Sequence, residues 1–241
     1  MFRSGFVAVV GKANVGKSTL INALIGKKVS IVSPKAQTTR NKIMGVLNTE
    51  NEQVVFIDTP GIHKIKNSLD KYMQEVIDSA TQDVDLLLYI MDGSKDFTDD
   101  DLRLLKSYCN QNYPVFVVVN KVDLESFETL YPRLNKLNEI KGVEQIFGVS
   151  ALKGKNLDEL KQEIFKKLTD TIKYFPNEQL SDKNDSFRVA ELIREKILWN
   201  FDDEIPHGVG VVVESMNVEG GLIKISATIY CERNSHKNIL V

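Results

Sequence analysis

The octet Gly11-Lys12-Ala13-Asn14-Val15-Gly16-Lys17-Ser18 follows directly on an apolar run, Phe6 to Val10, and leads into a stretch of helical periodicity. A G-x-x-x-x-G-K-S sequence between a buried strand and a helix leaves few folds open. Its glycines allow successive backbone amides to close on an anion, and the helix behind it presents its positive N-terminal end. The expected element is strand, phosphate-cradling loop and helix, with Asn14, Val15, Gly16, Lys17, Ser18 and Thr19 around a nucleotide diphosphate. Lys17 is placed to reach the β- and γ-phosphates, and Ser18 to ligate Mg²⁺.

The pattern through about residue 172 extends this reading. Near-continuous apolar runs at Phe6–Val10, Val54–Ile57, Leu86–Met91, Val115–Val119 and Ile146–Val149 alternate with helical periods. That is the signature of an α/β domain whose mostly parallel sheet is covered on both faces. Ile43–Leu47 is a weaker strand, suited to an edge. The stripes Leu69, Tyr72, Met73, Val76, Ile77, Ala80 and Phe127, Leu130, Tyr131, Leu134, Leu137 read as core faces. Asn156, three residues before Glu159, is the expected N-cap of a final helix carrying Leu157, Leu160, Ile164, Leu168 and Ile172. Asp99-Asp100-Asp101 suits a helix N-terminus better than a metal site. Residues 1–172 thus form one domain and the polar, Pro-containing segment 173–186 a linker. Residues 187–241 form a second unit of one helix and a hairpin turning at Gly220-Gly221.

Composition removes several function classes. A net charge of -2 provides no global basic field, and the two cysteines, Cys109 and Cys231, have neither disulfide nor metal-ligand spacing. The N-terminus has no secretory pattern, and no apolar run reaches the roughly 20 residues of a membrane span. The expected place is the cytoplasm.

Further motifs fall where strands of an open α/β sheet end, the usual location of ligands. Asp58-Thr59-Pro60-Gly61 follows the third apolar run, with Asp58 expected near Mg²⁺ and the Gly61 amide near a γ-phosphate. A segment so ordered by a triphosphate is released when that group leaves. Asn120-Lys121-Val122-Asp123 decides the base. The Asp123 carboxylate accepts from guanine's N1–H and exocyclic amine together, whereas adenine has no donors there and leaves the charge unpaired. Asn120 and Lys121 brace the base pocket and the phosphate loop, and Ser150-Ala151-Leu152 completes the pocket, with the Ala151 amide facing guanine O6. One hydroxyl of the Lys35–Arg40 loop is expected to complete the Mg²⁺ shell, and Thr39 is preferred to Thr38. Lys17, Thr39 and Gly61 are the candidate catalytic groups, and the ligands are GTP or GDP with Mg²⁺.

Four ordered elements, together with Asn14-Val15, Gln37-Thr38-Thr39-Arg40 and Asp58-Thr59-Pro60-Gly61-Ile62, resemble the Era family of translation-factor-class GTPases. Glu191–Ile197 followed by Asp203-Glu204-Ile205-Pro206-His207 resembles the start of that family's type II KH domain. The resemblance covers essentially the whole chain. It implies a Mg²⁺-dependent GTPase that acts in small (30S) ribosomal subunit assembly through 16S rRNA, a monomer, cytoplasmic, with peripheral contact at the inner face of the cell membrane. Two alternatives stay open: a nucleotide-gated binding switch in which hydrolysis is incidental, and an Era-like GTPase acting on another RNA.

The chain departs from the pattern in two ways. KH domains grip single-stranded RNA with a Gly-x-x-Gly loop, and none occurs from Phe187 to Val241, where six Lys/Arg face eight Asp/Glu. The expectation is a KH domain truncated before that loop, with a weakened hold on RNA. Small GTPases often place a water-orienting Gln after the glycine of Asp-x-x-Gly; here Ile62 and then His63 stand there. Turnover is therefore expected to be slow. Asn14 resembles the asparagine with which some GTPases of this class hold K⁺ beside the phosphates. His63 reads as an exposed residue of the loop rather than a base, and His236 as part of a polar tail.

Overall fold

The computed structural model describes residues 1–201 and 208–240. It separates into two compact units, Met1–Ser30 with Thr39–Ser181, and Ile31–Thr38 with Asp182–Val241. The expected boundaries at 172 and 187 are thus replaced. Residues 173–181 fold onto the first unit, and the short loop 31–38 groups with the second.

The first unit runs β1 (Arg3–Gly11), α1 (Lys17–Ile25), β2 (Ile43–Asn48), β3 (Glu52–Asp58), α2 (Ser68–Ala80), β4 (Leu86–Asp92), α3 (Asp99–Cys109), β5 (Val115–Asn120), α4 (Phe127–Asn138), β6 (Val143–Gly148) and α5 (Leu157–Lys167). The six strands lie in the order β2-β3-β1-β4-β5-β6. Only β2 is antiparallel, and it forms an edge, as its weaker pattern suggested. The central strands are apolar throughout because both faces are covered. On one face Leu20, Ile21 and Leu24 of α1 and Leu160 and Ile164 of α5 meet Val7, Val9, Phe56, Leu88 and Phe116; on the other Ile77, Leu105, Leu130 and Leu137 meet Val10, Leu87, Tyr89 and Val117. Each such side chain contributes about 1.5–3 kcal/mol by leaving water.

The helices start where local chemistry allows. Asn67 and Asp70 form a capping box on α2, and Thr98 and Asp101 form one on α3. Gly26 closes α1 with φ 75°. Three helical expectations are corrected. Asn156 precedes α5 in a left-handed conformation with no side-chain cap; its amide instead donates to the Gly148 carbonyl at 2.7 Å. Ile172 lies beyond α5 and is exposed, and Phe127 and Tyr131 are exposed as well, stacked on each other at 5.4 Å.

The segment expected as a linker is a strap. Leu180 accepts the amide of Val46, and Ser181 bridges Gly45, so the open edge of β2 is partly paired. Upstream, the buried Gln53 accepts the amides of Tyr174 and Phe175 at 2.8 and 3.0 Å and donates to the Phe175 carbonyl at 2.8 Å.

In the second unit, α6 (Asp185–Asn200), capped by Asn184, is followed by a hairpin, β7 (Val209–Glu219) and β8 (Leu222–Cys231), and by α7 (Asn234–Leu240). Gly220 and Gly221 both have positive φ, 57° and 81°, as a two-residue hairpin turn requires. The polar tail is helical in α7 and buries His236. The segment Asp203-Glu204-Ile205-Pro206-His207, which carries part of the family resemblance, lies outside the described residues. Loop 31–38 is fastened to α6. Glu195 accepts the Val32 amide at 2.9 Å, Trp199 donates to the Val32 carbonyl at 2.9 Å, and the buried Arg194 donates to the Thr38 carbonyl.

Gln53→Ala strips the part-buried Tyr174 and Phe175 amides of their acceptor. The expected cost is about 1–3 kcal/mol, read as a lower urea midpoint, with new proteolytic cleavage confined to residues 173–181.

Candidate nucleotide-binding site

Gly11, Asp58, Asp92 and Asn120 stand at the C-terminal ends of β1, β3, β4 and β5, and Ser150 lies just beyond β6. Five neighbouring parallel strands therefore deliver their functional residues to one rim. The phosphate loop bends there through left-handed conformations at Asn14 (φ 64°) and Gly16 (φ 98°). A Cβ on Gly16 would lie 2.2 Å from the Asn120 side-chain nitrogen, so this position excludes every other residue. Across the loop, a Cβ on Gly61 would lie 2.7 Å from the Ala13 Cα, and the Ile62 amide donates to the Gly11 carbonyl at 3.0 Å. The loop after β3 is thereby seated on the phosphate loop.

Lys17 is buried and donates to the carbonyls of Gly11 and Lys12 at 3.1 and 3.0 Å. Burial lowers its pKa to about 8 against the opposing attraction of Asp58. Asp58 is itself fully buried. Desolvation raises its pKa, only partly offset by the Ser18 hydroxyl and the Lys17 charge.

The three predicted Mg²⁺ ligands converge. Ser18 Oγ donates to Asp58 Oδ2 at 2.7 Å, Thr39 Oγ1 lies 3.1 Å from Ser18 Oγ, and Thr39 reaches the same carboxylate oxygen at 3.5 Å. The Thr38 hydroxyl is bonded to the Lys35 carbonyl at 2.6 Å. The other carboxylate oxygen, Asp58 Oδ1, is buried with no hydrogen-bond partner among the described residues. Two hydroxyls and a carboxylate with an unsatisfied oxygen suit a hard divalent cation.

The base side is a cavity of about 180 Å³ lined by Gly16, Thr19, Asn120, Lys121, Asp123, Leu124, Ser150 and Leu152. Lys121, in a left-handed conformation, reaches the Asn14 carbonyl at 2.8 Å and Asp92 at 2.7 Å, bracing the phosphate loop as expected. Asn120 donates to the Val15 carbonyl at 2.9 Å and accepts the Ala151 amide at 3.0 Å. That last bond differs from the expectation, because Ala151 N–H is turned onto Asn120 rather than presented to a base. Asp123, Leu124 and Leu152 are exposed at the cavity.

Sequence reasoning passed over three residues here. Leu124 lines the cavity with Leu152 as an exposed apolar side chain, a surface suited to a purine ring. Asp92 anchors Lys121; burial opposes its charge, but the Lys121 and Ser94 hydrogen bonds outweigh this and lower its pKa. Its signal was an acidic residue ending a buried strand. Lys12 is held by Asp101 at 2.6 Å, tying the loop to α3. His63 is not the exposed residue expected, since both its ring nitrogens are engaged.

Comparison with known proteins agrees with this geometry. A family model described as 50S ribosome-binding GTPase matches residues 6–121. The chain is 44% identical over 245 residues to GTPase Era of Clostridioides difficile, covering 100% of this chain and 82% of that protein. It is 43% identical over 242 residues to GTPase Era of Clostridium kluyveri, covering 100% and 83%. The chain belongs to the Era family of GTPases. Like its relatives it is an enzyme that hydrolyses GTP. Among solved structures it is similar to Era in complex with MgGDPNP and nucleotides 1506–1542 of 16S ribosomal RNA (35% identity, TM-score 0.94, covering 100% of this chain and 82% of that one). It is also similar to a point variant of Aquifex aeolicus Era bound to GDP.AlF4- (34% identity, TM-score 0.93, covering 99% and 82%). Era membership thus embraces the second unit as well as the first.

Two outcomes follow from the buried pair. Asp58→Asn leaves the buried Lys17 ammonium without its carboxylate, so the nucleotide-free protein should melt several degrees lower by calorimetry while GTP affinity in Mg²⁺ falls at least tenfold. Lys17 must be cationic to meet phosphates, so GTP binding should take up a proton as the pH rises past about 8. Below that pH the lysine is already charged and uptake vanishes. Calorimetry in buffers of differing ionisation enthalpy reads this directly.

Proposed function

We propose that this Era-family GTPase acts in assembly of the small (30S) ribosomal subunit, engaging 16S rRNA in one nucleotide state and releasing it in the other. The observation that carries the reading is the similarity, along the whole of this chain, to Era bound to a GTP analogue and to a segment of 16S rRNA. Residues 187–241 then serve as part of a KH domain. Their net charge of -2 and lack of a Gly-x-x-Gly make this segment a weak RNA ligand by itself.

In the G domain, the loop amides from Asn14 to Thr19 and the Lys17 ammonium take the β- and γ-phosphates, and Asp123 with Leu124 and Leu152 takes guanine. Ser18, Thr39 and Asp58 would hold Mg²⁺, which supplies charge stabilisation on the phosphate oxygens. Asn14 would hold K⁺, adding positive charge in the same region. The Gly61 amide meets the γ-phosphate. Water attacks the γ-phosphorus as the bond to the β-phosphate oxygen breaks, giving GDP and phosphate. Ile62 offers no group to orient that water, so the acceleration comes from positioning and from charge preorganised around the leaving oxygen, and intrinsic turnover is slow. The protein works as a monomer in the cytoplasm, with peripheral contact at the inner face of the membrane.

The test is single-turnover GTP hydrolysis with purified small subunits. The rate should rise several-fold with intact subunits and remain basal when the 3′ segment of 16S rRNA has been removed. Equal rates in both would favour the alternative in which hydrolysis is incidental to binding.

A further inference from the structure

His63 lies two residues beyond Gly61, in the loop that leaves β3 and enters α2. Its Nδ1 is 2.7 Å from the Gly61 carbonyl oxygen, and its Nε2 is 2.5 Å from Asp70 Oδ1. Asp70 is buried at the third position of α2, where its other oxygen accepts the amides of Lys66 and Asn67 at 2.9 and 3.2 Å. Burial works against its charge, but the His63 contact and these amides outweigh burial and hold the carboxyl below the usual carboxylate range. Asp70 is therefore ionised near neutral pH and only accepts. The Gly61 carbonyl also only accepts. A neutral imidazole has one N–H and can satisfy one of them; the imidazolium has two and satisfies both.

That arrangement acts on a single peptide group. The Gly61–Ile62 peptide is held at its oxygen by His63 and at its N–H by the Gly11 carbonyl, 3.0 Å away. With Gly61 already against Ala13, the orientation of its residue is fixed from both sides. Other charged groups near His63 are Lys12 of the phosphate loop, Lys64 of its own loop, and Asp100 and Arg103 of α3, all lining one cleft of about 610 Å³. Most of these are paired among themselves: Lys12 with Asp101 and Asp100 at 2.6 and 3.7 Å, and Arg103 with Asp100 at 3.3 Å. Asp70 is the carboxylate that addresses His63.

We propose that His63 and Asp70 are positioning residues for GTP hydrolysis: protonated His63, anchored by Asp70, clamps the Gly61–Ile62 peptide and so fixes the Gly61 residue, whose own amide in the preceding peptide then faces the γ-phosphate, and loss of the proton opens the clamp. The proposal rests on the placement of Gly61 given above. His63 does not touch the reacting atoms, and no proton passes from it to substrate. Hydrolysis then depends on whether the imidazole carries its second proton. The sign is fixed by the two acceptors: the clamp is closed at lower pH and lost as pH rises.

The experiment is single-turnover hydrolysis with saturating GTP and Mg²⁺ between pH 6 and 9, alongside GTP affinity, for the full chain and four variants. His63→Gln presents only one donor group and cannot gain a second. It should hydrolyse about five- to tenfold more slowly at pH 6.5, with GTP affinity within twofold of the parent. The ratio of parent to His63→Gln rates should decline toward unity as pH rises; groups common to both, Lys17 included, cancel in it. Asp70→Asn should shift that decline to lower pH. Gln74→Ala, on the same helix and bonded to Asp78 rather than to His63 or Asp70, should keep the parental decline. Gly61→Ala should be slow at every pH. A Gly61→Ala protein that hydrolyses normally overturns the placement of Gly61 and the clamp with it. With Gly61→Ala slow, three results overturn the clamp alone: His63→Gln at the parental rate and pH profile, a loss in His63→Gln that lies in GTP affinity, or Gln74→Ala shifting the profile as Asp70→Asn does.

Discussion

The buried pair of Lys17 and Asp58 is the interaction on which the rest of the site depends. Neither charge is comfortable: desolvation lowers the lysine and raises the aspartate, and each only partly relieves the other. The protein can keep them there because the central sheet, with some twenty mutually packed apolar residues on one face, holds the ends of β1 and β3 in place regardless. A site with charges arranged in advance needs little reorganisation when phosphate and metal arrive, which is the main source of electrostatic catalysis. The cost is carried by the fold, and the orphaned oxygen of Asp58 is its visible trace.

Around that pair the rim is assembled from loops that must approach unusually closely. Gly16 admits the Asn120 side chain, and Gly61 admits the phosphate loop itself. Lys121 and Asp92 then fix the phosphate loop from the base side, as Lys12 and Asp101 fix it from α3. The base pocket and phosphate cradle are consequently joined by direct hydrogen bonds. The loop carrying Thr38 and Thr39 has a divided allegiance. The Thr38 carbonyl is bonded to Arg194 of α6, whereas the next residue turns its hydroxyl to Ser18 and Asp58.

Much of this was legible before any coordinates. The strands were visible because a doubly covered parallel sheet needs continuous apolar runs, and the motif residues because each ends such a run. Thr39 was preferred to Thr38 from the sequence, and its hydroxyl lies beside Ser18 and Asp58. What failed was instructive. Phe127 and Tyr131 obeyed the helical period yet stack on the surface, because periodicity marks a face and not what covers it. Residues 173–181 lacked any period and read as a linker, yet they strap β2 through main-chain bonds that leave no side-chain pattern. Asn156 had the right identity for a cap and the wrong backbone conformation.

Taken alone, the chain of residues determined the phosphate loop, the order of the nucleotide motifs, the preference for guanine and the family, because those depend on residue type at fixed local spacing. Only the tertiary structure decided which distant groups share a proton or a charge: Lys17 with Asp58, Lys121 with Asp92, and His63 with Gly61 and Asp70. Those partnerships are set by where strands end and how closely two loops can approach, and Coulombic and hydrogen-bond energies at 3 Å depend on distances that no spacing along the chain encodes.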